Sequence, residues 1–179
     1  MGVIRPFLPA DVHELVEIRI ANRTFLEPFD PSRPDTFFTI EGQRTWLSSG
    51  NGLRFAIVED DAIAGTISLS EIVRGPLQSA IVGYWVDQAR NGRGLASRAV
   101  AAVLDVAFGE LDLHRVEAGT LLDNVASQRV LEHNGFTRIG VARKHLLLGG
   151  EWRDHLLFER LADDSSSTFA VARMRWRPS

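Results

Sequence analysis

The apolar residues Val12, Leu15, Val16 and Ile18 to Ile20 recur at helical spacing behind a short extended stretch, Gly2 to Leu8, and an opening at Pro9-Ala10-Asp11. Asn22 to Pro34 breaks that pattern. Its three prolines interrupt Phe25, Leu26 and Phe29, too broken for regular structure and too apolar for a solvated loop, so it predicts a segment that lines something. A second helix is expected over about Thr36 to Ser48, stopped by Ser49-Gly50-Asn51-Gly52. From Leu53 the period shortens to that of strands: Leu53 to Val58, the acidic turn Glu59-Asp60-Asp61, Ala62 to Val73 and Ser79 to Val86, with turns short enough to make neighbours antiparallel. Leu95 to Phe108 is an alanine-rich helix that starts directly after a glycine turn. Arg115 to Leu121 then reads as a strand and Asn124 to Asn134 as a helix. Thr137 to Leu148 and Trp152 to Leu161 form a hairpin around Gly149-Gly150. The order predicts a mixed α/β (α+β) domain with a largely antiparallel sheet flanked by helices, and no internal repeat.

Composition narrows this picture. A chain of 179 residues suits one compact domain, and 45% hydrophobic with 24% charged residues is that of an ordinary globule. A formal charge of -3 gives no general grip on a polyanion, so no direct nucleic-acid binding is expected. The absence of cysteine excludes disulfides, thiolate metal ligands and a cysteine nucleophile. No run approaches the ~20 apolar residues of a membrane span, and the first residues carry no apolar signal core, so a cytoplasmic location is expected. The domain is expected over residues 1–161, followed over 162–179 by a polar linker, Asp163 to Thr168, and a basic tail in which Arg173, Arg175 and Arg177 alternate with Met174 and Trp176. That tail would add an edge strand, meet a partner or stay disordered.

The chemistry begins where the strand Gly83-Tyr84-Trp85-Val86-Asp87 runs into Arg90-Asn91-Gly92-Arg93-Gly94 and then into Leu95-Ala96-Ser97. Glycines let successive N–H groups point outward, and the free N–H groups of a helix's first turn add partial positive charge, so the turn suits an anion such as pyrophosphate. Arg90 and Arg93 flank it with forked donors. The plainer alternative is a tight strand-to-helix connection. A dinucleotide-binding βαβ site fits poorly, because Ser97 stands at the third glycine position and the preceding strands form a meander.

The strand and turn with Gly92-Arg93-Gly94-Leu95-Ala96, followed by Asn124-Val125-Ala126-Ser127 and Asn134-Gly135-Phe136, resemble the two signature segments of the GNAT acetyltransferases. The opening strand and helix, Phe25-Leu26-Glu27-Pro28-Phe29 and the hairpin closing at Trp152-Arg153-Asp154 resemble the RimJ/RimL-like branch, which acetylates N-termini of ribosomal proteins. The likeness spans about Val3 to Leu161. It departs at Ala89, where the superfamily often has Gln or Arg three residues before the first glycine; Arg90 is the adjacent cation. The resemblance implies the GNAT acyl-CoA N-acyltransferase fold, with a central strand pair that splays. Acetyl-CoA would lie in the V between the strand ending at Val86 and Arg115 to Leu121. Trp85, Val86, Arg90, Asn91, Gly92, Arg93, Gly94, Leu95, Ala96, Asn124 and Ser127 form the implied cofactor-binding set. A backbone N–H near Val86 would face the thioester oxygen. Asn124 would contact the pantetheine arm, or cap the helix behind it, or both. A homodimer is a further implication of the likeness.

The resemblance also implies roles in proton transfer. A serine at Ser127 is the residue that the ribosomal-type branch places near the thioester sulfur as proton donor; its alternative is a capping or surface serine. Many GNAT enzymes use a tyrosine seven residues after the asparagine, where this chain has Leu131. The glutamate that some relatives carry after Gly-Phe falls on Leu146, which cannot take a proton. Glu71, Tyr84 and Asp87 remain as candidates for the base, against solvated charges and sheet packing as their plainer roles. An α-amino acceptor, with pKa about 7.7 to 8.0 against about 10.4 for lysine, supplies some neutral amine unaided. His13, His114, His133, His145 and His155 show no metal spacing, so no metal is expected. Trp46, Trp85 and Trp152 read as core or groove walls.

The expected function is transfer of acetyl from acetyl-CoA to an amine, a protein or peptide N-terminus by resemblance. Acetylation of a polyamine, amino acid or aminoglycoside is the second reading. A catalytically weak acyl-CoA-binding module, suggested by Leu131 and Leu146, is the third.

Overall fold

The computed structural model describes residues 3–164; the expectations for the C-terminal tail from 165 onward lie outside the described residues. The element order is β1 (Ile4–Pro6), α1 (Val12–Ala21), α2 (Arg23–Leu26), α3 (Ile40–Ser48), β2 (Leu53–Glu59), β3 (Ala62–Val73), β4 (Ser79–Val86), α4 (Leu95–Asp105), β5 (Arg115–Leu121), α5 (Val125–His133), β6 (Thr137–Leu148) and β7 (Glu151–Leu161). Seven strands lie in one sheet in the order β1-β2-β3-β4-β5-β7-β6, antiparallel everywhere except between β4 and β5. The mixed sheet flanked by helices is the architecture that the sequence predicts. No described helix is long and apolar enough to cross a membrane.

Local chemistry explains most boundaries. Thr39 caps α3 by accepting from the Gly42 N–H, so that helix starts later than expected and Asp35–Phe38 forms a separate 3-10 turn. Asp60 and Asp61 turn β2 into β3 with φ of 52 and 62, a left-handed pair that short polar side chains tolerate. The lining segment contains a single short helical turn, α2. Helix α4 ends at Asp105 and unwinds through a wider turn, Val106–Glu110.

The pleat sorts β4 onto two faces. Ala80, Val82 and Val86 join α4 residues Leu95, Ala99, Val100 and Val103 in the main core, with Tyr84 packed against it. Trp85 pairs with Thr66 on the opposite face, where Arg19 of α1 stacks on it. Helix α1 is fixed there by Glu14, which accepts the Ile63 N–H at 2.6 Å.

The feature that creates a site is the parallel pair. β4 meets β5 only at Ser79 to Ile81, opposite Arg115 to Glu117. Beyond it β4 stays paired to β3 up to Val86, while β5 follows β7. The two strands part, and a V opens between them.

Candidate active site

The open arm of β4 presents unspent backbone groups. Asp87 N–H donates to Ala64 O at 2.8 Å, so the odd residues direct their backbone polar groups to β3. With the alternation of a strand, the N–H groups of Tyr84 and Val86 point the other way, into the gap that β5 has left. Pocket walls continue from there around the turn. Trp85, Val86, Arg90, Asn91, Gly92, Gly94, Leu95, Ala96, Asn124 and Ser127 all line one cavity of about 570 Å³.

Within the turn, Gly92 and Gly94 have φ of 77 and 72, the left-handed region that favours glycine. A Cβ at Gly92 would meet nothing, and at Gly94 only the Arg98 guanidinium at 3.6 Å. The surface over these residues is therefore open to an approaching group, and the first N–H groups of α4 face out from the same corner. The flanking arginines are differently placed than expected. Arg93 does not line the cavity: its guanidinium is drawn 3.1 Å from the Glu59 carboxylate on β2. Arg90 lines it but lies between Glu59 and Asp87, each 3.7 Å away. Arg129 of α5, which the sequence reading passed over, lines the same cavity and makes no ion pair among the described residues.

Asn22 is a second residue missed. Only 2% exposed, it accepts from the Gln88 N–H at 2.8 Å and donates to Asp87 at 3.0 Å, tying the end of α1 to the start of the turn. Asp87 also caps the turn by accepting from Ala89 N–H. Both bonds fall on Oδ1, while Oδ2 faces Arg90 at 3.7 Å, so the Asp87 carboxylate holds the turn in shape.

Ser127 and Tyr84 meet across the V. Their hydroxyls lie 2.9 Å apart. Asn124 accepts the Ser127 N–H at 3.1 Å as N-cap of α5, which fixes where the serine points; its NH2 group has no hydrogen-bond partner among the described residues. Burial pushes the Tyr84 hydroxyl up to about 12, with the Ser127 hydrogen bond opposing. A phenol so placed keeps its proton at neutral pH, which makes Tyr84 a poor base and a sound donor to Ser127. Glu71 is brought nowhere near them. It stands exposed on an irregularity of β3 between Ser70 and Val73, with φ of 49, and lines neither this cavity nor the next. The register break turns it out of the strand's alternation.

A second cavity of about 400 Å³ opens on the α1 and α3 face, sharing Leu26, Phe29, Tyr84, Trp85, Asn124 and Ser127 with the first. The lining segment thus bridges both. Leu131, fully buried, and Leu146, half-exposed, form part of its wall. His155, 3% exposed, is the other residue that the sequence reading left without a role. Its Nδ1 lies 3.1 Å from the Arg153 carbonyl, and its ring packs against His145 at 5.4 Å between centroids, tilted by 58°. Burial, with the nearby His145 and Arg153, holds its pKa below the ordinary 6.5, and the bond to Arg153 opposes this. The neutral ring with Nδ1 protonated leaves a lone pair on Nε2. A backbone carbonyl within reach of Nδ1 leaves no mark in a sequence, which is why this residue was not found. Among the described residues no three His, Asp or Glu side chains gather as a metal site would require.

Comparison with known proteins accords with this geometry. The family described as "Acetyltransferase (GNAT) domain" matches residues 3–137. The probable N-acetyltransferase YjcK of Bacillus subtilis is 41% identical over 170 residues, covering 90% of this chain and 94% of that protein. Among solved structures, the ribosomal-protein-S5-alanine acetyltransferase of Vibrio fischeri superposes with a TM-score of 0.83 at 34% identity, over 90% of this chain and 93% of that one. Mycobacterium smegmatis RimJ in complex with CoA-disulfide gives 0.85 at 32%, over 92% and 84%. The chain belongs to the GNAT acetyltransferase family, with RimJ/RimL ribosomal-protein acetyltransferases among its relatives.

Proposed function

We propose that the protein transfers an acetyl group from acetyl-CoA to a primary amine, with the N-terminal α-amino group of a protein or peptide as acceptor. The observation that carries this reading is the gap between β4 and β5, with a cavity on either side and the Ser127–Tyr84 hydroxyl pair at their junction.

The residues present fit the donor. Open left-handed glycines, the α4 N-terminus and Arg129 suit a pyrophosphate, and the unpaired backbone of β4 suits the amides of a pantetheine arm. Acetyl-CoA supplies an electrophilic thioester carbonyl and a thiolate leaving group. The Val86 N–H, fixed in the strand before any substrate arrives, donates where negative charge develops on the carbonyl oxygen. Ser127 Oγ delivers its proton to the departing sulfur while Tyr84, 2.9 Å away, donates a hydrogen bond that stabilises the serine oxygen and keeps its own proton; water entering as CoA leaves restores the serine proton. His155 Nε2 takes the proton of the attacking amine, directly or through one water, in place of Glu71, and gives it to solvent. The α-amino group needs only modest help because its ordinary pKa is about 7.7 to 8.0.

The acceptor cavity bears Arg19, Arg33 and Arg54 against Asp30, which opposes a polycationic amine. Incubation with acetyl-CoA and a pool of N-terminal peptides and small amines, read as free thiol and as acetyl located by mass spectrometry, tests the assignment. Acetylation of peptide α-amines is expected. Modification confined to lysine side chains or polyamines would replace the acceptor class.

A further inference from the structure

The face of the acceptor cavity against α1 and α3 holds buried donors, one of them cationic, that have no acceptor among the described residues. Arg19 is 5% exposed, yet its Nε has no hydrogen-bond partner among the described residues. Its guanidinium packs on three rings, 4.5 Å from the centre of Trp46, 5.0 Å from Phe37 and 5.2 Å from Trp85, and feels Asp30 only as a more distant charge, with no ion pair between them among the described residues. The buried Trp85 Nε1–H, beside it in the same wall, is also unpartnered, as is the Thr120 hydroxyl. Leaving such donors dry costs more than an apolar lining would, so their survival in a cavity wall points to an acceptor that arrives with the ligand. Arg54 also lies over Trp46, at 5.0 Å, and donates to the Ser49 carbonyl at 2.7 Å, with no carboxylate partner among the described residues. Among the described residues Arg33 is the lining arginine that forms an ion pair, with Asp30 at 3.5 Å, and the Asp30 charge also favours the charged form of Arg19. Burial lowers Arg19 to about 10, which leaves it charged at neutral pH.

We propose that this wall binds a carboxylate of the acceptor, contributed by an acidic side chain close to the peptide's N-terminus, with Arg19 as its principal partner and Trp85 Nε1–H as the second donor. The forked guanidinium accepts a carboxylate in two parallel bonds, and the three rings fix its plane in advance. The acceptor amine then extends from this anchor toward Ser127 and Tyr84, since Arg19, Trp85, Tyr84 and Ser127 all line the same cavity. The proposal rests on the acyl-transfer reading for what happens to the amine, but not for the carboxylate contact itself.

The test uses the whole chain saturated with CoA and follows tryptophan fluorescence while titrating Ala-Asp-Ala-Ala or Ala-Asn-Ala-Ala, each amidated at its C-terminus. The aspartyl peptide is expected to bind roughly 10- to 100-fold more tightly, the range of a charge-assisted pair. Arg19→Met keeps length and ring packing and should bring that ratio close to one while CoA still binds. Trp85→Phe, which keeps a ring and removes the N–H, should lower the ratio several-fold and decides the matter if the Arg19 variant does not fold. Equal binding of the two peptides by the native chain overturns the proposal, as does a preference that survives in a folded Arg19→Met. Alanine and alaninamide form a second pair. Preference for alanine alone supports the carboxylate site and assigns its source to a free amino acid. Thiol release from acetyl-CoA, measured alongside, separates the two readings. Tight binding of the aspartyl peptide without release sinks acetyl transfer and leaves the carboxylate site, whereas equal release with both peptides and equal binding does the reverse.

Discussion

The two cavities that meet at Ser127 are built by opposite means. On the α4 side the recognising groups are backbone: two left-handed glycines, the first N–H groups of a helix, and a strand edge that its neighbour has abandoned. The side-chain cations there are largely neutralised, Arg90 and Arg93 by Glu59. On the α1 and α3 side the recognising groups are side chains, gathered from α1, α3, β2, β4 and β7, and the cation Arg19 packs on aromatic faces with no ion pair among the described residues. Backbone donors can be altered only by changing the turn itself, which suits a ligand that does not vary. A wall of side chains can be rewritten one residue at a time, which suits the partner that distinguishes one relative from another.

The sharpest way to break this contrast is at Gly94. Gly94→Asp places a carboxylate at the anion seat, and repulsion of a few kcal/mol at short range weakens CoA binding by roughly two to three orders of magnitude. Gly94→Asn has nearly the same shape and tolerance of φ 72 without the charge, so it should lose much less. Equal CoA affinities for both, measured by calorimetry, would mean the turn is only a connector.

A smaller effect is expected on the acceptor side. His155→Gln should lower kcat by about a hundredfold at pH 7. The sign of its pH dependence follows from the lowered pKa: the native imidazole is neutral at pH 7 and becomes charged only as the pH falls below 6.5. The native kcat profile therefore falls on the acid side of 6.5, and that limb disappears in the variant. The same buried neutral ring contributes stability in full above 6.5, lost as the pH falls through its folded value. An unchanged acid limb in His155→Gln removes it as the base.

The smallest effect tests the joint between the two regions. Asn22→Ala strands the Gln88 N–H and one lone pair of Asp87, and should cost about 1–3 kcal/mol of unfolding free energy by urea titration. A stability change within error would show that water replaces Asn22 at no cost.

The same contrast explains what the sequence disclosed. Glycine spacing, a capping asparagine and strand periodicity are local, so the turn, the Asn124 cap and the succession of strands and helices were legible. The parting of β4 from β5 came from the family likeness and is present. Arg19, Trp46, Arg54 and His155 lie on separate elements and converge only through tertiary packing, so no spacing marks them. Glu71 misled because alternation along β3 fails at an irregularity that composition does not signal. Arg93 misled because Glu59, distant in sequence but adjacent across the β2 end, takes its charge.

The central claim is that acetyl transfer occurs where the two cavities meet, and Ser127 tests it most directly. Steady-state thiol release from acetyl-CoA with a peptide acceptor should fall about a hundredfold in kcat for Ser127→Ala, with CoA affinity unchanged. Full turnover in that variant, or tight CoA binding by the native protein with no release above hydrolysis for any amine, would contradict the account.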